Sequence, residues 1–311
     1  MRQLQIEPAL PLRIAERPFR VVVVGCGGTG SHLVESLARL CYHLKHVNGP
    51  AVDVLLIDGD VFEPKNVGRQ LARLRDVGLN KAQALAARVN ADYGLQVEAI
   101  PEMLDAKLRS SIIAGSDGLG PGAKEVNLII VGCVDSVPPR ALLHDGMPSA
   151  QYDLRWLWLD VGNHEHTGQV LLGSAYAWAN LHGCLALDGL CAALPSPGLQ
   201  QPDLVVPPPA PKGRKKKKAA PVPNCADDVA SNRQAFGINA TLAAIAAEYL
   251  TQLITHRAIT RMRTDLDLLS MTATSVPITA SALAEASGLT REELRGIAAP
   301  RPQKTWKRAA R

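Results

Sequence analysis

Apolar residues along the chain fall into two alternating patterns. Phe19–Gly25 (FRVVVVG) is a short, β-branched run ending in glycine, as expected of a strand buried on both faces of a parallel sheet. From Gly28 to Leu44 the apolar positions Leu33, Leu37, Leu40 and Leu44 recur at spacings of four and three, which predicts a helix with one packed side. Val52–Ile57 predicts a second strand ending at Asp58, Leu79–Val89 a helix, and Leu95–Ile100 a third strand. Val126–Val131 predicts a fourth strand, with Arg140–Leu143 in a helix beyond Pro139. Trp156–Val161 and Gln169–Leu172 read as two more strands. Such alternation over about 160 residues predicts an α/β, Rossmann-like, doubly wound and mostly parallel sheet.

Beyond this region the pattern changes. Nine prolines fall between Pro195 and Pro223, beside the cationic run Lys212–Lys218. A segment so poor in burial is expected to be a flexible loop. Asp227–His256 then predicts a long helix with Phe236, Leu242, Ile245, Tyr249 and Leu253 on one side. A strand or hairpin is expected near Leu266–Ile278, and a helical pair over Ala280–Ile297. The expected organisation is a main nucleotide-binding part (1–194) and the Pro/Lys-rich crossover loop (195–223). A C-terminal helix and strands (224–279) complete the same domain, followed by a small helical extension and basic tail (280–311).

Composition narrows the function. The 311 residues are 47% hydrophobic, enough for a substantial core, and 4% aromatic, which argues against a stacking platform for single-stranded nucleic acid. Of the 34 Lys and Arg, six lie in Lys212–Lys218 and five after Pro300; the remaining 23 face 29 Asp and Glu, leaving the body at −6. Nucleic-acid binding is therefore not expected. The pair over Ala280–Ile297, with Gly288 at its turn and Thr290–Glu293 as a capping box, superficially resembles a helix-turn-helix but lacks a base-reading polar set. No apolar leader or membrane span is visible, and six cysteines without a CxxC pair do not form a disulfide scaffold. A cytoplasmic location is expected.

The chemistry gathers around Gly25-Cys26-Gly27-Gly28-Thr29-Gly30, directly after the first strand and opening the first helix. Glycines let backbone approach phosphate, and the helix N-terminus offers unpaired N–H groups and a partial positive charge. The next strand ends in Asp58-Gly59-Asp60, where a carboxylate is placed for ribose hydroxyls. These features alone suit an NAD(P)-dependent oxidoreductase. Asn66-Val67-Gly68-Arg69-Gln70 and Gly78-Leu79-Asn80-Lys81 are surplus to a nicotinamide site. They suit a triphosphate losing pyrophosphate, where charge builds on the α-phosphate and leaving group. Asp135, past the fourth strand, can reach the same crevice and hold Mg²⁺.

GCGGTG, DGD, NVGRQ, GLNKA and GCVDS, in that order, resemble the adenylyltransferases of the ThiF/MoeB/ubiquitin-activating superfamily. The stretch Pro11–Ala106, together with Trp158–Asn163, Gly168–Val170 and the Cys225, Gln234, Asn239 region, resembles the ThiF-family protein of the PRTRC cassette. The resemblance implies that Gly25, Gly27, Gly28 and Gly30 hold the phosphates of ATP, with Asp58 and Asp60 at the ribose. It implies that Asn66, Arg69 and Lys81 contact the phosphates with Gln70 in support, and that Asp135 binds Mg²⁺. The implied substrate is a ubiquitin-like or sulphur-carrier protein, whose C-terminal glycine carboxylate becomes an acyl-adenylate. Cys225 then stands where such enzymes form a thioester, passed on to a conjugating-enzyme-like partner, and the chain is expected to homodimerise. Family members often carry a Cys₄ zinc site, but Cys184 and Cys191 are seven apart and no cysteine follows Cys225. No structural zinc is expected. Cys26, Cys41 and Cys133 are expected to be packing residues, and the His164–His166 loop to line a substrate groove. A nucleotide-bound scaffold without catalysis is the remaining alternative.

Overall fold

A computed structural model describes residues 7–116, 125–147, 154–206 and 236–297. Its centre is an eight-stranded mixed sheet. Five parallel strands form one half: β2 (Phe19–Val24), β3 (Val52–Ile57), β4 (Glu98–Ile100), β5 (Asn127–Gly132) and β6 (Trp156–Asn163). Three antiparallel strands extend it: β7 (Thr167–Gly173), β9 (Arg261–Asp267) and β10 (Thr272–Pro277). The spatial order is β10-β9-β7-β6-β5-β2-β3-β4. A separate two-stranded pair joins β1 (Leu12–Arg13) to β8 (Ala258–Ile259).

β2 explains the layering. Val21 and Val23 point into one apolar cluster, and Val22 and Val24 into the other on the opposite face. The larger cluster is closed by α1 (Gly28–His46), α2 (Lys81–Tyr93) and α5 (Ile238–Thr251). The smaller lies beneath α3 (Ala106–Ala114) and α4 (Val137–Gly146). Helices on both faces bury all of β5 and all of β2 except Arg20, so those strands read as apolar runs rather than alternations. Because β3 lies on one side of β2 and β5 on the other, the chain reverses direction across the sheet between β2 and β5. A crevice is expected at the carboxyl ends there.

Several element boundaries differ from expectation. The third strand shortens to three residues. α2 starts at Lys81 because Asn80 caps it, accepting from the Gln83 amide at 3.0 Å. α4 begins at Val137, before Pro139, since prolines need no amide partner in a first turn. Phe236 does not share the buried side of α5: it precedes the helix and is 80% exposed. The C-terminal pair is α6 (Ala280–Ser287) and α7 (Arg291–Leu294). The Thr290–Glu293 capping box forms, at 2.7 and 3.2 Å, but the second helix has only four residues. No described helix is long and apolar enough to cross a membrane.

Candidate functional site

The carboxyl ends of β2, β3 and β5 carry three loops that interlock. Gly25 has φ +91°, and a side chain there would meet the Cys133 carbonyl of the β5 loop at 2.6 Å. At Gly30 a Cβ would lie 1.9 Å from the Gly25 carbonyl. These two glycines are thus required by the turn itself. Gly28 faces Asn239 of α5, at 2.7 Å from the position of a Cβ, whereas Gly27 meets only the Gln70 amide nitrogen, at 3.8 Å. Of the four glycines, Gly27 keeps an open face beside the N-terminus of α1.

Asp58 ties the β3 loop to this turn. Its Oδ2 accepts the Cys26 amide at 2.6 Å and its Oδ1 the Asp60 amide at 2.8 Å. Burial raises its pKa from the ordinary carboxylate value, while these amide bonds and the nearby Lys81 charge act in the opposite sense. Both oxygens therefore hold the backbone, each retaining a second lone pair. Asn80 fastens α2 to the same loop, its amide donating to the carbonyls of Asp58 at 2.7 Å and Asp60 at 3.0 Å. Lys81 is buried, and its Nζ donates to Asp60 Oδ2 at 2.9 Å. The Asp58 and Lys81 charges both lie close enough to act on the Cys26 thiol.

The Asn66–Gln70 segment packs against α1, with the Leu71 amide donating to Ser31 Oγ at 2.9 Å. Asn66 is buried, and its Oδ1 accepts the Glu63 amide at 2.8 Å, closing a single 3₁₀ turn. Gln70 Oε1 is buried without a partner among the described residues. Arg69 lines a groove of about 380 Å³ between this segment, α1 and the start of α5. Asp135 is exposed in the loop after β5. The structure thus brings Asp58, Asp60, Gln70 and Lys81 to the glycine turn, with Asn66, Arg69 and Asp135 on the loops that border it.

A mixed fold of this type with a glycine turn is shared by many families; the order of the loops along the whole chain decides among them. The ThiF family model matches residues 10–282. The chain belongs to the ThiF family. The SAMP-activating enzyme E1 of Haloferax volcanii is 31% identical over 128 residues, and the match spans 40% of either protein. Among solved structures, E. coli MccB with MccA-N7isoASN has a TM-score of 0.51 at 17% identity, covering 85% of this chain and 64% of that one. Selenomethionine PaaA has a TM-score of 0.50 at 18% identity, covering 84% and 64%. These two likenesses concern the fold.

In this ThiF-family chain, residues outside the expected phosphate set also meet at the turn. Asn239 Oδ1 accepts from Thr29 Oγ1 at 3.0 Å and from Asn163 Nδ2 at 2.8 Å. The ends of β6, α1 and α5 are joined by that one side chain. Beside it Arg140 Nε donates to both oxygens of Asp160, at 3.0 and 3.2 Å, with Asp160 wholly buried. Gly132 and Gly162 leave room for this pair, since a Cβ at either would come within 3.1 Å of it. Sequence offers a hint only at Asp160, an acid inside an apolar strand; the partner Arg140 lies 20 residues away and is not signalled.

Cys26, Cys41, Cys184 and Cys191 are buried and Cys133 is half-buried. Burial pushes the Cys26 thiol well up and Cys41 to about 11. Cys225 and the Lys212–Lys218 run lie outside the described residues. Among the described residues no group of three or more His, Cys, Asp or Glu could hold a metal ion. His164 lines a second cleft, of about 330 Å³, with Gln169, Asp265 and Asp267 on the antiparallel half of the sheet.

Proposed function

We propose that this chain is an ATP-dependent adenylyltransferase that activates the C-terminal glycine carboxylate of a ubiquitin-like or sulphur-carrier protein. The observation that carries this reading is the open face of Gly27, bordered by Gln70, at the N-terminus of α1, with the Lys81 charge near the adjacent Cys26. That arrangement suits an anion. Family membership and the match to an enzyme named SAMP-activating E1 support the substrate class.

ATP phosphates would rest on the amides at Gly27 and Gly28, with Asn66, Arg69, Gln70 and Lys81 around them and Asp58 and Asp60 toward the ribose. Asp135 fits Mg²⁺, which binds through one or two carboxylates plus substrate phosphates and water; the ion would neutralise phosphoryl charge. A carboxylate is already ionised at neutral pH, so the chain needs to orient it in line and to stabilise charge on the α-phosphate and leaving group. Lys81 is held ready by Asp60 and changes partner when phosphate arrives. The carrier's tail would approach along the cleft beside His164 toward Asn163 and Asn239.

For thioester formation Cys26, Cys41 and Cys133 are poor candidates, because burial disfavours their thiolates. Cys225 is the proposed acceptor, a conjugating-enzyme-like protein the proposed recipient, and a homodimer the proposed assembly. The test is mass spectrometry of the chain with ATP, Mg²⁺ and small β-grasp proteins ending in glycine. An acyl-adenylate on the carrier supports the reading, while a chain stabilised against heat by NAD(P) and not by ATP with Mg²⁺ would favour the oxidoreductase. Cys225→Ala should spare the acyl-adenylate and remove a reductant-sensitive adduct on the enzyme.

A further inference from the structure

The groove of about 380 Å³ bearing Arg69 also contains Arg73, Arg88, His32 and Glu35, none of them part of the phosphate set above except Arg69. Its three arginines outnumber its one carboxylate. Glu35 turns to Tyr93, whose hydroxyl donates to it at 2.5 Å, and to Arg39 at 3.5 Å. Arg88 is buried and rigid, donating to the Leu71 carbonyl and to Asp76 Oδ2, each at 2.6 Å. Its Nε is buried without a partner among the described residues. Asp76 thus balances Arg88, and Arg73 and Arg75 remain as surplus charge near it. Burial lowers the Arg88 pKa, Asp76 raises it, Arg73 lowers it, Glu35 raises it and Arg75 lowers it. Clustered guanidinium groups repel one another until an anion enters. His32 is held toward its neutral form by burial and contributes an N–H rather than a charge.

Position suggests which anion. Gln70 lines the groove and also stands beside the open face of Gly27, so the groove starts where a bound triphosphate would end. We propose that this groove binds inorganic pyrophosphate, with the exposed Arg73 as its contacting guanidinium and Arg88, whose Nη atoms serve Leu71 and Asp76, as fixed charge behind it. The inference rests on the adenylation reading: a carboxylate oxygen forms a bond to the α-phosphorus, the α–β P–O bond breaks, and its electron pair leaves with pyrophosphate. Bidentate guanidinium contacts suit that product. Held there, it is withdrawn from the acyl-adenylate it could otherwise attack.

Arg73 is the residue to test. Its side chain is exposed, whereas removing Arg88 would leave Asp76 buried and unpaired. Thermal shift titrations with inorganic pyrophosphate alone should show the half-saturating concentration rising about tenfold in Arg73→Ala and further in Arg73→Glu. Pyrophosphate inhibition of carrier adenylation should weaken in parallel, with KM for ATP within about twofold of the parent. Equal pyrophosphate binding in parent and both variants would overturn the groove even if adenylation proceeds. So would an equal loss of ATP and pyrophosphate binding. Arg73-dependent pyrophosphate binding with no adenylation of any carrier would uphold the groove and remove the adenylation reading instead.

Discussion

Asp58 Oδ2 holds the Cys26 amide at 2.6 Å, linking the end of β3 to the glycine turn after β2. Burial raises the Asp58 pKa above its unfolded value, so the folded chain binds the proton more tightly than the unfolded chain. This contribution to stability is fully present below the unfolded pKa and is lost as pH rises through the folded one. Urea denaturation across the acid range should therefore show the parent gaining stability relative to Asp58→Asn as pH falls through that window. A parallel pair of curves would remove Asp58 from the account.

Gly27 and Gly30 should separate binding from folding. Gly30→Ala drives a methyl into the Gly25 carbonyl and should cost ~1–3 kcal/mol or more. Gly27→Ala meets no nearby backbone and should stay within ~1 kcal/mol of the parent. It should nonetheless weaken ATP about tenfold, equivalent to ~1.4 kcal/mol, as read by calorimetric titration. Reversed effects would mean that the ligand lies elsewhere.

The glycine turn was readable in sequence because it needs local features: a strand, glycines at fixed spacing and a helix start. The places of Asp58 and Lys81 near that turn were legible for the same reason. What the sequence could not show is that Asp58 spends both oxygens on backbone amides, or that Gly28 is occupied by Asn239 from 211 positions along the chain. Such contacts depend on how α5 packs across α1, and periodicity carries no record of that. Phe236 illustrates the opposite error: its spacing matched the apolar face of α5, but the helix begins only at Ile238.

Arg140 and Asp160 form a buried ion pair, so cutting one partner should cost far more than the pair itself contributes. Arg140→Met leaves the Asp160 carboxylate buried and uncompensated, with an expected loss of ~3–5 kcal/mol in chemical denaturation. Arg140→Met combined with Asp160→Leu should recover a large part of it. A double variant as weak as the single one would show that packing, rather than charge, dominates there.

Lys81 donates to Asp60, whose side chain is 54% exposed. Water can solvate Asp60 when the lysine is gone, so Lys81→Met should fold with little loss of stability. ATP–pyrophosphate exchange in the presence of a carrier should fall by ~10²–10³, the magnitude typical of one preorganised charge at a developing anion. Exchange at the parental rate would remove Lys81 from the phosphate site.

The most direct measurement is intact-mass analysis of a glycine-terminated β-grasp carrier after incubation with this chain, ATP and Mg²⁺. The account predicts one added AMP on the carrier, absent with Lys81→Met and absent when the terminal glycine is deleted. A carrier that gains no AMP while the chain binds ATP at the Gly27 turn would contradict it.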